Sequence, residues 1–192
     1  MDEGYIKFNC EWVKSKLNFD ISIMNHWRDN LFDLKLIGAY DNGIGYGNIS
    51  VRTDDGFVIS GSTTGNLRKL NIGHYSKVIA YDFNKNFLKC VGPIKASSES
   101  MSHAAVYESN PKINAVIHVH NLDLWTKLLN KVPTTSKNAK YGTPEMAYEI
   151  KKLFKETKVF NKKIFVMKGH KEGIFCFGND LNEASKVLLD LV

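Results

Sequence analysis

The sequence predicts an α/β domain. Short β-branched or alternating runs bounded by turn residues recur along the chain, and between them lie stretches with apolar residues at helical spacing. The 192 residues carry no repeat, low-complexity tract or linker-like segment. Residues 1–192 are therefore read as a single domain, long enough to bury a sizeable core.

The first elements range from ambiguous to well marked. Ile6, Phe8, Cys10 and Trp12 alternate as in a strand, while Tyr5, Phe8, Trp12 and Val13 also suit a helix face, so residues 5–17 stay open. Residues 22–34 read as a helix, with Ile23, Trp27, Leu31 and Leu34 on one side. A glycine-crowded loop, Gly43-Ile44-Gly45-Tyr46-Gly47, then runs into a strand, Asn48-Ile49-Ser50-Val51-Arg52. Asp54-Asp55-Gly56 is a hairpin signal, and Phe57-Val58-Ile59-Ser60 is the returning strand. It empties into Gly61-Ser62-Thr63-Thr64-Gly65, whose small residues and free amides suit an anionic oxygen, although the spacing is not that of a P-loop.

Residues 78–83 and 87–91 read as a further pair of strands. Ser97 and Ser98 precede a helical pattern, so a helix is expected to begin at one of them, with Glu99 and His103 on one face. Asn114-Ala115-Val116-Ile117-His118-Val119-His120-Asn121 is a buried strand, followed by helical spacing through Leu122, Trp125, Leu128 and Leu129. Thr143-Pro144-Glu145 opens another helix with a capping threonine and proline at the first position. Strands at 164–167 and 173–177 and a last helix after Asp180, with Glu183 at capping-box spacing, complete the pattern.

Composition limits the function. Hydrophobic residues make up 43% and charged residues 24%, as in an ordinary globular protein. No run reaches the length of a membrane span, and Met1-Asp2-Glu3-Gly4 does not start a secretory leader. Cys10, Cys90 and Cys176 form no CxxC or scaffold pattern; reduced thiols in a cytoplasmic protein are expected. The net charge of +6 is lysine-rich and thickest over residues 151–171. No stacking aromatics interleave with it, so solvated surface or attraction of an anionic substrate is expected rather than nucleic acid.

The one concentrated chemical signal is His118-Val119-His120. Alternation on a strand puts both imidazoles on one face with Val116, while Ile117 and Val119 face the other layer. Adjacent imidazoles each make the other harder to protonate, and a divalent metal resolves that conflict because it needs both neutral and convergent. Hydrogen-bonded core histidines are the alternative.

Taken in order, the chain resembles the class II aldolase/adducin family. The resemblance runs from Gly47 to about Ala184 through Gly47-Asn48-Ile49-Ser50-Val51-Arg52, Ile59-Ser60 with Thr64-Gly65, Ser97-Ser98-Glu99 with His103, Ala115-Val116-Ile117-His118-Val119-His120, Tyr141-Gly142-Thr143-Pro144-Glu145 and Gly169-His170 with Gly178. It implies a three-layer α/β/α fold around a mixed, mainly antiparallel sheet, in a homo-oligomer, usually a tetramer. It implies that His118, His120 and His170 hold Zn2+ or another divalent transition metal, that Glu99 is the catalytic acid/base, and that Asn48, Thr64, Gly65, Ser97 and Ser98 hold a substrate phosphate.

Three neutral imidazoles leave a zinc ion its full charge and open positions, which is a catalytic arrangement. The expected activity is zinc-dependent retro-aldol cleavage of a small ketose 1-phosphate to dihydroxyacetone phosphate and an aldehyde. A sugar-phosphate 4-epimerase or dehydratase on the same site, and a non-catalytic adducin-like binding module, are the alternatives. Two departures stand out. Lys171-Glu172 separate His170 from Gly173, where the family places glycine directly after the histidine. The chain ends at Val192 without the tyrosine-bearing tail of longer aldolases, and the short stretch 132–141 offers no clear counterpart for a second family tyrosine.

Overall fold

The computed structural model describes residues 4–192, so the reading of the first three residues lies outside the described residues. The elements in chain order begin with β1 (Asn9–Lys14), α1 (Ser22–Asp33), β2 (Gly38–Ala39), β3 (Gly45–Tyr46), β4 (Asn48–Thr53), β5 (Gly56–Ser60), β6 (Tyr75–Asp82) and β7 (Phe87–Gly92). They continue with α2 (Ser100–Ser109), β8 (Ala115–His120), α3 (Leu122–Leu128), α4 (Pro144–Glu156), α5 (Val159–Lys162), β9 (Ile164–Val166), β10 (Gly173–Gly178) and α6 (Leu181–Leu189).

Eight of the strands form one sheet in the order β1-β7-β6-β5-β4-β8-β10-β9, and β2 pairs with β3 apart from it. Within the large sheet β1 runs parallel to β7, and the other neighbours are antiparallel. The sheet is thus mixed and mainly antiparallel. Strand β8 lies inside it with all six residues buried. Its alternation divides the core: Val116 packs in a cluster with Met101 and Ala105 of α2 and Met146 and Ile150 of α4. Ala115, Ile117 and Val119 belong to a second cluster with Met24 and Leu31 of α1 and Leu188 of α6. Fully burying each valine, leucine, isoleucine or methionine among them contributes roughly 1.5–3 kcal/mol, which is why the register of β8 is strongly specified.

The ambiguous N-terminal stretch resolves as strand β1, and its pairing with β7 brings Cys10 Sγ to 3.9 Å from Cys90 Sγ. All three cysteines are free thiols. Strand β6 begins at Tyr75, earlier than alternation suggested, since residues 75–78 pair in register with β5; a register shift between Val78 and Ala80 then breaks the period of two. Helix α2 begins at Ser100, two or three residues later than the serine caps predicted. Ser97 instead accepts the Glu99 amide at 3.2 Å, forming a tight turn that delays the helix and leaves Glu99 at the cap position without capping. The other caps behave as read: Thr143 accepts from the Met146 amide, and Asp180 from the Glu183 amide. The Glu183 carboxylate reaches back to the Asn179 amide at 2.7 Å, one residue beyond a standard capping box. Most lysines of 151–171 are solvent-facing. No helix among the described residues is long and apolar enough to cross a membrane.

Candidate metal centre and its cavity

Sheet register assembles the site. Asn48 of β4 lies directly opposite His118, and Gly173 of β10 directly opposite His120, so these residues share one face of three adjacent strands. His170 comes from the turn joining β9 to β10. That turn is closed by His170 N–H donating to Met167 O and Gly173 N–H donating to His170 O. It delivers a third imidazole whose ring centroid is 4.7 Å from that of His120 and 5.3 Å from that of His118. One ligand atom from each histidine lies within 4.8 Å of the others, and all three side chains are buried.

Hydrogen bonding fixes the protons on two of these rings. The Ile174 carbonyl can only accept, so His118 Nδ1, 3.2 Å away, carries a proton. The Tyr40 hydroxyl donates to Glu172 Oε2 at 3.0 Å, so at 2.8 Å it accepts from His120 Nδ1–H. Both Nε2 atoms are then unprotonated, yet they face each other at 3.0 Å. Two lone pairs that close repel each other, the more so where the rings are buried, and a shared cation converts the repulsion into attraction. The donor set therefore fits a divalent transition metal. Burial supports the neutral state. It holds His118 down at about 4, with His170 nearby adding to the depression, and it pushes His120 well below the usual imidazole range.

Glu99 faces the rings from the start of α2. Its Oε1 is 2.9 Å from His170 Nδ1 and 3.9 Å from His118 Nε2. The first contact is the short one, and it is the strongest of the influences that keep the carboxylate ionised. Oε2 accepts from the Ser102 hydroxyl at 2.6 Å. Burial alone would raise this carboxyl; the imidazoles of His170 and His118 and the Ser102 hydroxyl outweigh it and bring it to about 2.

The remaining residues singled out from sequence, Asn48, Thr64, Gly65, Ser97 and Ser98, line the same cavity of about 310 Å3 as Glu99 and the three histidines. Asn48 is buried, and its Oδ1 has no hydrogen-bond partner among the described residues. The Thr64 hydroxyl is already donated to Gly61 O at 2.9 Å, so its proton is not available to a ligand in the cavity. Gly65 has a packing reason of its own, since a Cβ there would come within 2.5 Å of Gly38 O and 2.7 Å of the Tyr46 amide. Thr63, at φ 60°, occupies a left-handed conformation rare for a β-branched residue.

Sequence reading gave no role to the residues behind these, although Tyr46 and Tyr141 lie in stretches it singled out. Arg28 is almost wholly buried, and its guanidinium donates to the carbonyls of Thr64, Gly65 and Arg68 at 3.0–3.1 Å, holding the loop from beneath. The Tyr141 ring stacks on His170 at 4.7 Å and that of Tyr46 on His120 at 5.4 Å. Tyr40 and Ser102 gave no periodic or motif signal. Glu172 was visible only as part of the departure after His170.

Fold and cavity together define an α/β protein with a buried three-histidine, one-carboxylate centre beside a small-residue loop. The chain belongs to the family described as Class II Aldolase and Adducin N-terminal domain, whose model matches residues 40–192. Its fold is similar to that of l-fuculose-1-phosphate aldolase from Thermus thermophilus, with a TM-score of 0.64 at 22% identity over 87% of this chain and 86% of that one. YgbL from Klebsiella pneumoniae superposes with a TM-score of 0.65 at 20% identity, covering 88% of this chain and 83% of that chain. Among curated proteins, 3-oxo-tetronate 4-phosphate decarboxylase of Haemophilus influenzae is 36% identical over 77 residues, which is 40% of this chain and 34% of that protein. The family includes enzymes, aldolases and a decarboxylase among them.

Proposed function

We propose that this protein is a divalent-metal-dependent lyase that breaks a C–C bond near a carbonyl in a small phosphorylated sugar, zinc being the first candidate metal. The observation that carries the reading is the pair of Nε2 atoms facing each other at 3.0 Å in a pocket shared with Glu99. His118, His120 and His170 would hold the cation, which when bound supplies Lewis-acid polarisation of a substrate carbonyl.

The chain's own groups do the rest. Glu99, ionised and acceptor-only, is positioned to take a proton from a substrate hydroxyl. It can return that proton to the carbon left with the electron pair of the broken bond, and such acid–base help contributes roughly 10²–10⁴-fold. Ser102 holds the carboxylate in place while it does so. Asn48 Oδ1 suits a substrate hydroxyl, and the backbone of the 61–65 loop with Ser97 and Ser98 suits a phosphate, which fixes the reacting end relative to Glu99.

Retro-aldol cleavage of a ketose 1-phosphate to dihydroxyacetone phosphate and an aldehyde is the first reading of the bond broken. Decarboxylation of a phosphorylated 3-oxo sugar acid is the second, favoured by the Haemophilus influenzae relative. Both leave an electron pair beside a carbonyl that must be protonated: in the retro-aldol it takes the proton Glu99 removed from the substrate hydroxyl, and in decarboxylation, where carbon dioxide leaves without one, the proton comes from solvent through Glu99; epimerase and dehydratase chemistry are further uses of the same site. A cytoplasmic homotetramer acting through one domain per chain completes the proposal. Metal analysis with His118→Ala as control tests the centre: wild-type protein without stoichiometric metal overturns the reading. Incubation with ketose phosphates and 3-oxo acid phosphates, scored for dihydroxyacetone phosphate or carbon dioxide, distinguishes the two cleavages; turnover of neither set rejects the lyase.

A further inference from the structure

We propose that Tyr40 and Glu172 form a positioning relay that locks His120 as an Nε2 ligand and strengthens metal binding. The inference rests on the metal reading above and goes beyond it. His120 Nδ1–H donates to the Tyr40 hydroxyl at 2.8 Å, and that hydroxyl donates to Glu172 Oε2 at 3.0 Å. A phenol between an imidazole and a carboxylate has one proton to give. The acceptor-only carboxylate takes it, and the phenol oxygen is left to accept from the ring. The relay therefore selects one tautomer of His120, and its terminal negative charge makes that ring a better donor to a cation.

Two further observations indicate that the carboxylate is held there rather than resting by chance. Glu172 has φ 72°, a left-handed backbone that residues with a Cβ rarely adopt, and its carbonyl is fastened by the Asn121 amide at 3.2 Å. Tyr40 is packed against Tyr46 at 4.7 Å, and Tyr46 stacks on the same His120 ring, so the phenol has little freedom to turn away. His118 achieves the same tautomer through a backbone carbonyl, which no side-chain change removes. His120 alone of this pair depends on replaceable side chains.

The test is a Zn2+ titration against a competing chelator, together with imidazole 15N spectra of the metal-free protein. Tyr40→Phe is expected to weaken Zn2+ binding about 10–100-fold. Glu172→Gln retains an acceptor oxygen and should cost less, under about tenfold on the same scale. In the Tyr40→Phe background, Glu172→Gln should change nothing further, because the relay is already cut; a surface control, Tyr148→Phe, should match wild type. In the metal-free spectra, His120 should be the Nδ1–H tautomer in wild type and lose that preference in Tyr40→Phe. Unchanged affinity and tautomer in Tyr40→Phe, or additive losses in the double variant, overturn the relay. If Tyr40→Phe fails to fold, Glu172→Gln and Glu172→Ala decide the matter by the same two readouts. A wild-type protein that binds no Zn2+ sinks the functional reading, whereas the metal-free tautomer still judges the relay separately.

Discussion

Gly173→Ala separates the needs of the fold from those of the metal centre. A Cβ at this position would lie 3.1 Å from His170 Nδ1, 3.1 Å from His170 O and 3.2 Å from His118 Cε1. Comfortable contacts are about 3.5–4.0 Å, so both rings must retreat by roughly 0.3–0.4 Å or more. Metal–ligand distances tolerate only about 0.2 Å, and the retreat also strains the 3.2 Å bond from His118 Nδ1 to Ile174 O. Stability is affected less, since Gly173 lies in a strand outside the positive-φ region, where the smaller backbone entropy of alanine contributes about 0.4–1 kcal/mol against a packing cost of about 1–3 kcal/mol. The expected result is Zn2+ affinity weakened about tenfold or more, with a net stability loss near 1 kcal/mol, read by chelator competition and by urea unfolding of the metal-free protein. Zn2+ affinity within twofold of wild type, with the fold intact, would refute the idea that these two rings share one metal.

Chelation should lower the thermal midpoint by about 5–10 °C, because a cation present at a hundred times its dissociation constant stabilises the folded state by about 2.7 kcal/mol; an unchanged midpoint in a calorimetric scan argues against a bound metal. Glu99→Gln is expected to keep metal affinity within a few-fold while turnover falls about 10²–10⁴-fold, and steady-state kinetics showing normal turnover would remove Glu99 from catalysis. Arg28→Met leaves the Gly65 and Arg68 carbonyls without their donor, whereas Thr64 O retains the Leu67 amide. A stability loss of about 2 kcal/mol and weaker inorganic phosphate binding follow, checked by urea midpoints and phosphate titration. In metal-free protein, the folded values of His118 and His103, about 4 and 3, lie below their ordinary 6.5, in each case chiefly through burial. The unfolded chain then binds more protons between pH 6.5 and those values, so this stability is complete above pH 6.5 and is lost as pH falls through the window. A denaturant midpoint that stays flat between about pH 7 and 4 contradicts it.

The parts of this protein legible in its sequence depend on neighbours one to four residues away. Alternation in Val116-Ile117-His118-Val119-His120 sets which side chains share a face whatever the strand later meets, and that placed two imidazoles together. Thr143-Pro144 and Asp180 mark helix starts because capping is completed within one turn. The third histidine and the carboxylate were assigned by resemblance to the family, since no local spacing links residues 99, 118 and 170.

Tertiary structure decided what joins distant segments. The β4–β8–β10 register set Asn48 opposite His118 and Gly173 opposite His120, and the β9–β10 turn brought His170 onto them. The Ser97 turn shifted the start of α2 and aimed Glu99 inward, against what serine capping suggested. Arg28 reaches a loop 36 residues away, and Tyr40 bonds to a histidine 80 residues on. Neither left a local trace, because a buried hydrogen bond is defined by where two chain segments meet and not by the residues beside either one.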